Sequence, residues 1–190
     1  MNGVKLTPEE KRTLIRLARA TIARWAGFPA TIPEASGRLV AEKRGVFVTL
    51  RMHGDLRGCI GYIQPFETVA DAVRELAIKS ASEDPRFDPV TPEEIGHICI
   101  EISVLTPLIP ISGPDEVMVG RDGLVVESGW RRGLLLPEVA TDEGWDAEEF
   151  LSGTCRKAGL GRDAWRRPGI KLYRFETEHF SEADEGGSLR

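Results

Sequence analysis

From His97 to Val104 the chain reads HICIEISV, an unbroken alternation of polar and apolar side chains. Successive side chains of an extended strand point to opposite faces. Ile98, Ile100, Ile102 and Val104 therefore share one side, and His97, Cys99, Glu101 and Ser103 share the other. Such a strand needs an apolar layer under its isoleucine face and partner strands for its backbone groups. Its second face is polar enough to be wet or to line a site.

The rest of the sequence supplies both needs. Thr7-Pro8-Glu9-Glu10 places a hydroxyl at a helix N-cap, proline at the first helical position and a glutamate that completes a capping box. Leu14, Leu17, Ala18, Ile22 and Trp25 follow at helical spacing, and Gly27 ends the run. Phe28 to Gly37, with its prolines, reads as a crossing loop. Val46 to Met52 and Leu56 to Ile63 read as two strands joined by a turn at His53-Gly54-Asp55. A second amphipathic helix carries Val69, Ala72, Val73, Leu76, Ala77 and Ser80, with Thr68 as cap and Asp71 three residues on. It stops in Asp84-Pro85-Arg86-Phe87-Asp88-Pro89, which proline forbids to continue as helix.

Beyond the alternating strand, prolines at 107, 110 and 114 predict a stiff connector. Short strands are predicted at Val117–Val119, Leu124–Glu127 and Gly133–Leu136, with Asp122-Gly123 as a turn. Asp146 and Glu149 frame another helix start, where Trp145 can staple onto Phe150, and Gly159 marks its end. Ile170 to Phe180 reads as a last strand, and Ser181 to Arg190 as a polar, disordered tail. Hairpins and short strands without βαβ repeats predict an α+β fold with a mostly antiparallel sheet flanked by helices.

Charge and cysteine usage narrow the function classes. The net charge of −5 provides no overall basic field for nucleic acid, and the pairs Arg131-Arg132 and Arg166-Arg167 are the local exceptions. The N-terminal residues lack the apolar core of a signal peptide, and no apolar run approaches the ~20 residues of a membrane span. Cys59, Cys99 and Cys155 are odd in number and form no CxxC, which fits free thiols and a cytoplasmic location. His53, His97 and His179 form no HxxxH or Cys/His spacing, so no zinc site is expected.

One stretch carries chemistry. In LRGCIGYI, Leu56 to Ile63, Arg57 and Cys59 fall on one face of an extended strand. A guanidinium beside a thiol favours the nucleophilic thiolate. Gly58 and Gly61 would let a ligand or another backbone approach closely. The competing reading is that the glycines permit packing and Cys59 is an ordinary buried thiol. Glu101 and Ser103 sit on the polar face of their strand; in one reading the Glu101 carboxylate faces a pocket, paired with Arg57 or Arg86, and in the other the face is solvated or holds a structural ion pair. Asp84 and Arg86 lie in a rigid loop suited to positioning functional groups or to stopping a helix.

GVFVTLRMHGDLRGCIGYI, SEDPRFDPVTPEE, IEISVLTPLIPI, GRDGLVVE, RRGLLLPEVATDEGWDAEEFL and TCRKAGL, in this order, resemble the AMMECR domain family, in its AmmeMemoRadiSam system protein A branch. The resemblance runs from residue 6 to residue 180. It implies a two-lobed α+β domain in which a larger lobe holds both termini and a smaller lobe is inserted. It also implies association with a Memo-like protein and a radical-SAM enzyme, with the iron–sulfur cluster and SAM held by that partner and no cofactor in this chain. By position the hallmark residues are Leu56, Arg57, Gly58, Cys59, Ile60 and Gly61; Asp84, Arg86 and Phe87 match a second motif, and Glu101 and Ser103 a third. The resemblance brings no catalytic role for them. Two functions therefore stand open. In one, Cys59 is a nucleophile stabilised by Arg57, with Glu101 or a histidine as base, and Gly58, Gly61, Asp84, Arg86 and Ser103 bind the ligand. In the other, the strand is structural and the protein is a non-catalytic interaction module.

Overall fold

The computed structural model describes residues 5–64 and 66–184. The chain divides into two compact units, Met1–Val104 with Glu178–Arg190, and Leu105–Thr177. The architecture is α+β, and its strands pair antiparallel.

The first unit begins with α1 (Pro8–Trp25), where Thr7 and Glu10 form the reciprocal capping box that the sequence calls for. Strands β1 (Val46–Met52) and β2 (Asp55–Tyr62) form a hairpin, and β3 (Ile98–Leu105) pairs with the other edge of β1, giving the order β2-β1-β3. The turn is tighter than predicted. Met52 faces Asp55, so His53 and Gly54 alone make the connection, both with positive φ (53° and 91°). That is the geometry of a primed two-residue turn, whose twist matches the flanking strands. Helix α2 (Val69–Ser82) is capped by Thr68, whose hydroxyl accepts from the Asp71 amide. The isoleucine face of β3 joins Val46, Val48 and Leu50 of β1 and the apolar faces of α1 and α2 in one buried cluster.

The C-terminal residues depart from expectation. Strand β7 (Lys171–Ser181) ends one residue into the predicted tail. Beyond it, the Glu182 amide donates to the Ile100 carbonyl at 2.9 Å, and the buried Glu182 carboxylate pairs with Arg19. Ser181 and Glu182 are thus built into the fold, Glu182 as the counter-charge of Arg19, and the exposed Asp184 accepts from Ser181; residues 185–190 lie outside the described residues.

The second unit holds β4 (Ile109–Ile111), β5 (Asp122–Ser128), β6 (Arg131–Leu135) and the first part of β7, with β4 and β5 both paired to β7 and β6 paired to β5. Helices α3 (Pro137–Asp142) and α4 (Ala147–Lys157) complete it, and the Asp146–Glu149 capping box is present as predicted. Three expectations are corrected. The proline connector contains β4, whose three residues pair with β7. Val117–Val119 is not a strand; it follows the single turn Pro114–Glu116. Asp122 opens β5 instead of turning. Burial alone would raise its pKa, but bonds from Arg121 and the Met118 amide, with Arg174 nearby, hold it below the ordinary carboxylate range. Among the described residues no helix is long and apolar enough to cross a membrane.

Candidate functional site

The LRGCIG strand is first a packing device. A side chain on Gly58 would run into the Ser80 backbone carbonyl, so only glycine lets the last turn of α2 settle on β2. From there the Ser80 hydroxyl donates to the Val48 carbonyl at 2.7 Å and accepts from the Ile60 amide at 2.9 Å. The helix thereby bridges two strands of its own sheet. Gly61, opposite Phe47 in the ladder, leaves room for the Phe47 ring to lie across it.

A β-bulge redirects Arg57. Leu50 pairs with Gly58 and Arg51 with Leu56, which leaves Arg57 without a partner and breaks the strict alternation expected of the strand. Its guanidinium turns to Glu94, with Nε and Nη2 each 2.9 Å from a carboxylate oxygen, and donates to the carbonyls of Asp88 and Pro89. The Glu94 bond is the main cause that raises the Arg57 pKa, and the same bond lowers that of Glu94. All three guanidinium nitrogens are thus engaged within the protein. The expected partnership of Arg57 with Cys59 is replaced by a clip from β2 to the loop before β3.

Asp84 and Arg86 serve the same strand. The Asp84 carboxylate, almost fully buried, accepts from the Cys59 amide at 2.8 Å, while Arg86 binds that carboxylate through Nε and Nη2 at 2.9 and 2.7 Å. Arg86 also reaches the Cys59 carbonyl at 3.4 Å. The Arg86 bonds, helped by the Cys59 and Arg86 amides and opposed by burial, hold the Asp84 carboxyl far below its usual range. Together the pair satisfies the outward amide and carbonyl of Cys59 on the free edge of β2.

On the face of β1, β2 and β3 opposite the buried cluster, Thr49 lies between Cys59 and Glu101 in register. The Thr49 hydroxyl donates to the half-buried Cys59 sulfur at 3.2 Å. Glu101 pairs with Arg51 at 2.9 Å and stands two strands from Cys59, a separation of about 10 Å at the usual strand spacing. That exceeds the reach of direct proton transfer. The buried Ser103 hydroxyl meets His179 Nδ1 at 3.1 Å, adding a histidine from β7 to the same face.

Of the expected site residues, the structure brings Cys59, Asp84 and Arg86 together through the Cys59 backbone, and sets Glu101 and Ser103 on the face that carries the Cys59 thiol. Arg57 is drawn away to Glu94. Ser80, Thr49, Glu94 and His179 were not singled out by sequence reasoning as site residues. Ser80 carried a signal, being a polar residue at a core position of a helical repeat. Among the described residues no three His, Cys, Asp or Glu side chains group as metal ligands.

Comparisons with known proteins bear on the family and the fold. The sequence profile of the AMMECR1 family matches residues 15–180. A protein of Methanothermobacter thermautotrophicus is 47% identical over 190 residues, covering 96% of this chain and 99% of the relative. A protein of Thermofilum pendens is 45% identical, covering 97% and 95%. The crystal structure of an uncharacterised protein from Pyrococcus horikoshii matches with a TM-score of 0.84 at 42% identity, covering 98% of each chain.

Proposed function

The chain belongs to the AMMECR1 family, and we propose that it acts as a binding component of a cytoplasmic Memo-like and radical-SAM modification pathway, its LRGCIG strand a frame and not a reaction centre. The observation that carries this reading is how the motif spends its polar groups. Arg57 is held by Glu94 and two carbonyls, the Cys59 backbone by Asp84 and Arg86, and the Ile60 amide by Ser80. A cysteine nucleophile is activated by a base within hydrogen-bond reach or by a neighbouring cation that favours the thiolate. Arg57 faces elsewhere, Glu101 is tied to Arg51, and the cation nearest Cys59, Arg86, is engaged with the Asp84 carboxylate and the Cys59 carbonyl. What the frame holds up is a polar face of Thr49, Cys59, Glu101 and His179, the last bonded to the buried Ser103, suited to a ligand or protein surface that offers hydrogen bonds.

The cysteine-enzyme reading keeps one observation of its own, the Thr49 hydroxyl bonded to a half-buried thiol. Two experiments separate the readings. The chain, immobilised, is exposed to a purified Memo-like protein and a purified radical-SAM protein. Retention of either, lost on Thr49→Arg with the melting midpoint unchanged, supports the binding role. Cys59 alkylation in the native protein faster than free cysteine, with a turnover abolished by Cys59→Ser, would overturn it.

A further inference from the structure

We propose that His53 and His97 form a two-imidazole chelate for a borderline divalent transition ion such as Ni2+ or Zn2+. The two residues are far apart in sequence and come from different elements, the turn after β1 and the residue before β3. The ladder register sets them against each other. Met52 pairs with Ile98, so the next positions outward on the antiparallel pair are His53 and His97. Their rings face at 5.9 Å between centroids, tilted by 35°. Two imidazoles that share one tetrahedral ion, with metal–nitrogen bonds of about 2.0–2.1 Å, place their centroids about 5 Å apart. Both side chains are exposed, and small rotations of two exposed rings close that gap.

The chemistry of the pair points the same way. Imidazole nitrogen suits zinc, nickel and copper, whereas oxygen-seeking ions such as Mg2+ and Ca2+ find no carboxylate cluster here. Among the described residues, the partner of each imidazole is the other imidazole. No third His, Cys, Asp or Glu among the described residues completes the group, so water takes the remaining positions and the ion exchanges freely. Bound there, the ion cross-links the β1–β2 turn to the start of β3, at the turn end of the polar face and beyond the residues assigned to binding.

Calorimetric titration of the untagged full chain with Ni2+, in a buffer that does not bind the ion, tests this. One ion per chain is expected, with a rise in melting midpoint when the ion is present. His53→Asn and His97→Asn should each abolish both effects, whereas His179→Asn should leave both intact. Asparagine is chosen at position 53 because it tolerates the positive φ of that turn, so the variant keeps its hairpin. Binding that survives either single variant, or that disappears with His179→Asn, overturns the chelate.

Discussion

The two hairpins β1–β2 and β5–β6 solve one packing problem with different wiring. In each, a glycine on the second strand lies against a helix backbone where a Cβ would collide: Gly58 under Ser80 of α2, and Gly133 under Thr154 and Ala158 of α4. Each hairpin also turns through two residues, His53-Gly54 in one and Gly129-Trp130 in the other. The polar groups differ. Ser80 reaches into the sheet and bridges Val48 and Ile60, whereas the Thr154 hydroxyl folds back onto the Phe150 carbonyl of its own helix at 2.8 Å. Strand β2 is clamped by Asp84, Arg86 and Glu94; β6 relies on the cross-strand pair Arg132–Glu127 and on Arg131 bonded to the Gly159 carbonyl. The steric device is common to both, whereas a helix hydroxyl set between the two strands is the device of the first hairpin. That wiring is what makes LRGCIG look like a reaction centre in the sequence.

The steric device makes the strongest prediction. Gly58→Ala should destabilise by about 3 kcal/mol, because α2 must retreat from a backbone carbonyl that cannot rotate away. Gly133→Ala should cost somewhat less, since no side-chain bridge between strands is lost with it. Urea unfolding can resolve the two, because the second unit carries Trp130, Trp145 and Trp165 and the first carries Trp25. Gly133→Ala should shift the fluorescence midpoint most, and Gly58→Ala the far-ultraviolet midpoint as well. A Gly58→Ala protein as stable as wild type would break the comparison at its root.

The wiring gives the next effect. Ser80→Ala leaves the Ile60 amide and the Val48 carbonyl without their shared hydroxyl, and should cost about 2 kcal/mol. Thr154→Ala removes a bond from a carbonyl already inside a helix, and should cost about 0.5 kcal/mol. Equal costs in the two denaturation curves would mean that Ser80 is only a spacer.

Periodicity and caps carried most of this fold in plain view. The apolar face of β3, the boxes at Thr7 and Asp146, and the α2 cap at Thr68 are local signals, written within a few residues of where they act. What escaped was long-range. Nothing near Ser181 or Glu182 announces that Arg19, from α1, will draw them into the core. Asp122-Gly123 has turn composition, yet Arg121 and Arg174 make a buried carboxylate tolerable there. The site shows the same division. The row Cys59, Thr49 and Glu101 follows from alternation once register is known, but the bulge at Arg57 shifts one residue out of phase and sends its charge to Glu94.

The charged clamp has a smaller effect than the glycine or the Ser80 bridge, and it carries a pH signature of its own. Asp84→Asn keeps an oxygen for the Cys59 amide and removes the charge that Arg86 binds. Because Arg86 is half exposed, the loss should be modest, about 1–2 kcal/mol at neutral pH. Asp84 is held well below the usual carboxylate range when folded. Its contribution is therefore full above its unfolded pKa of about 3.9 and is lost as pH falls towards the folded value. The stability gap between wild type and Asp84→Asn should be widest at neutral pH and shrink once the pH drops below about 4. Glu94, also lowered by its arginine, contributes in the same acid window and stays present in both proteins, so it cancels from the gap. Glu127→Gln in the second hairpin, where the structure ties the carboxylate to Arg132 alone, should shift stability by no more than about 0.5 kcal/mol. A gap for Asp84→Asn that stays constant from acid to neutral pH would mean that the clamp works through its geometry and not through its charge.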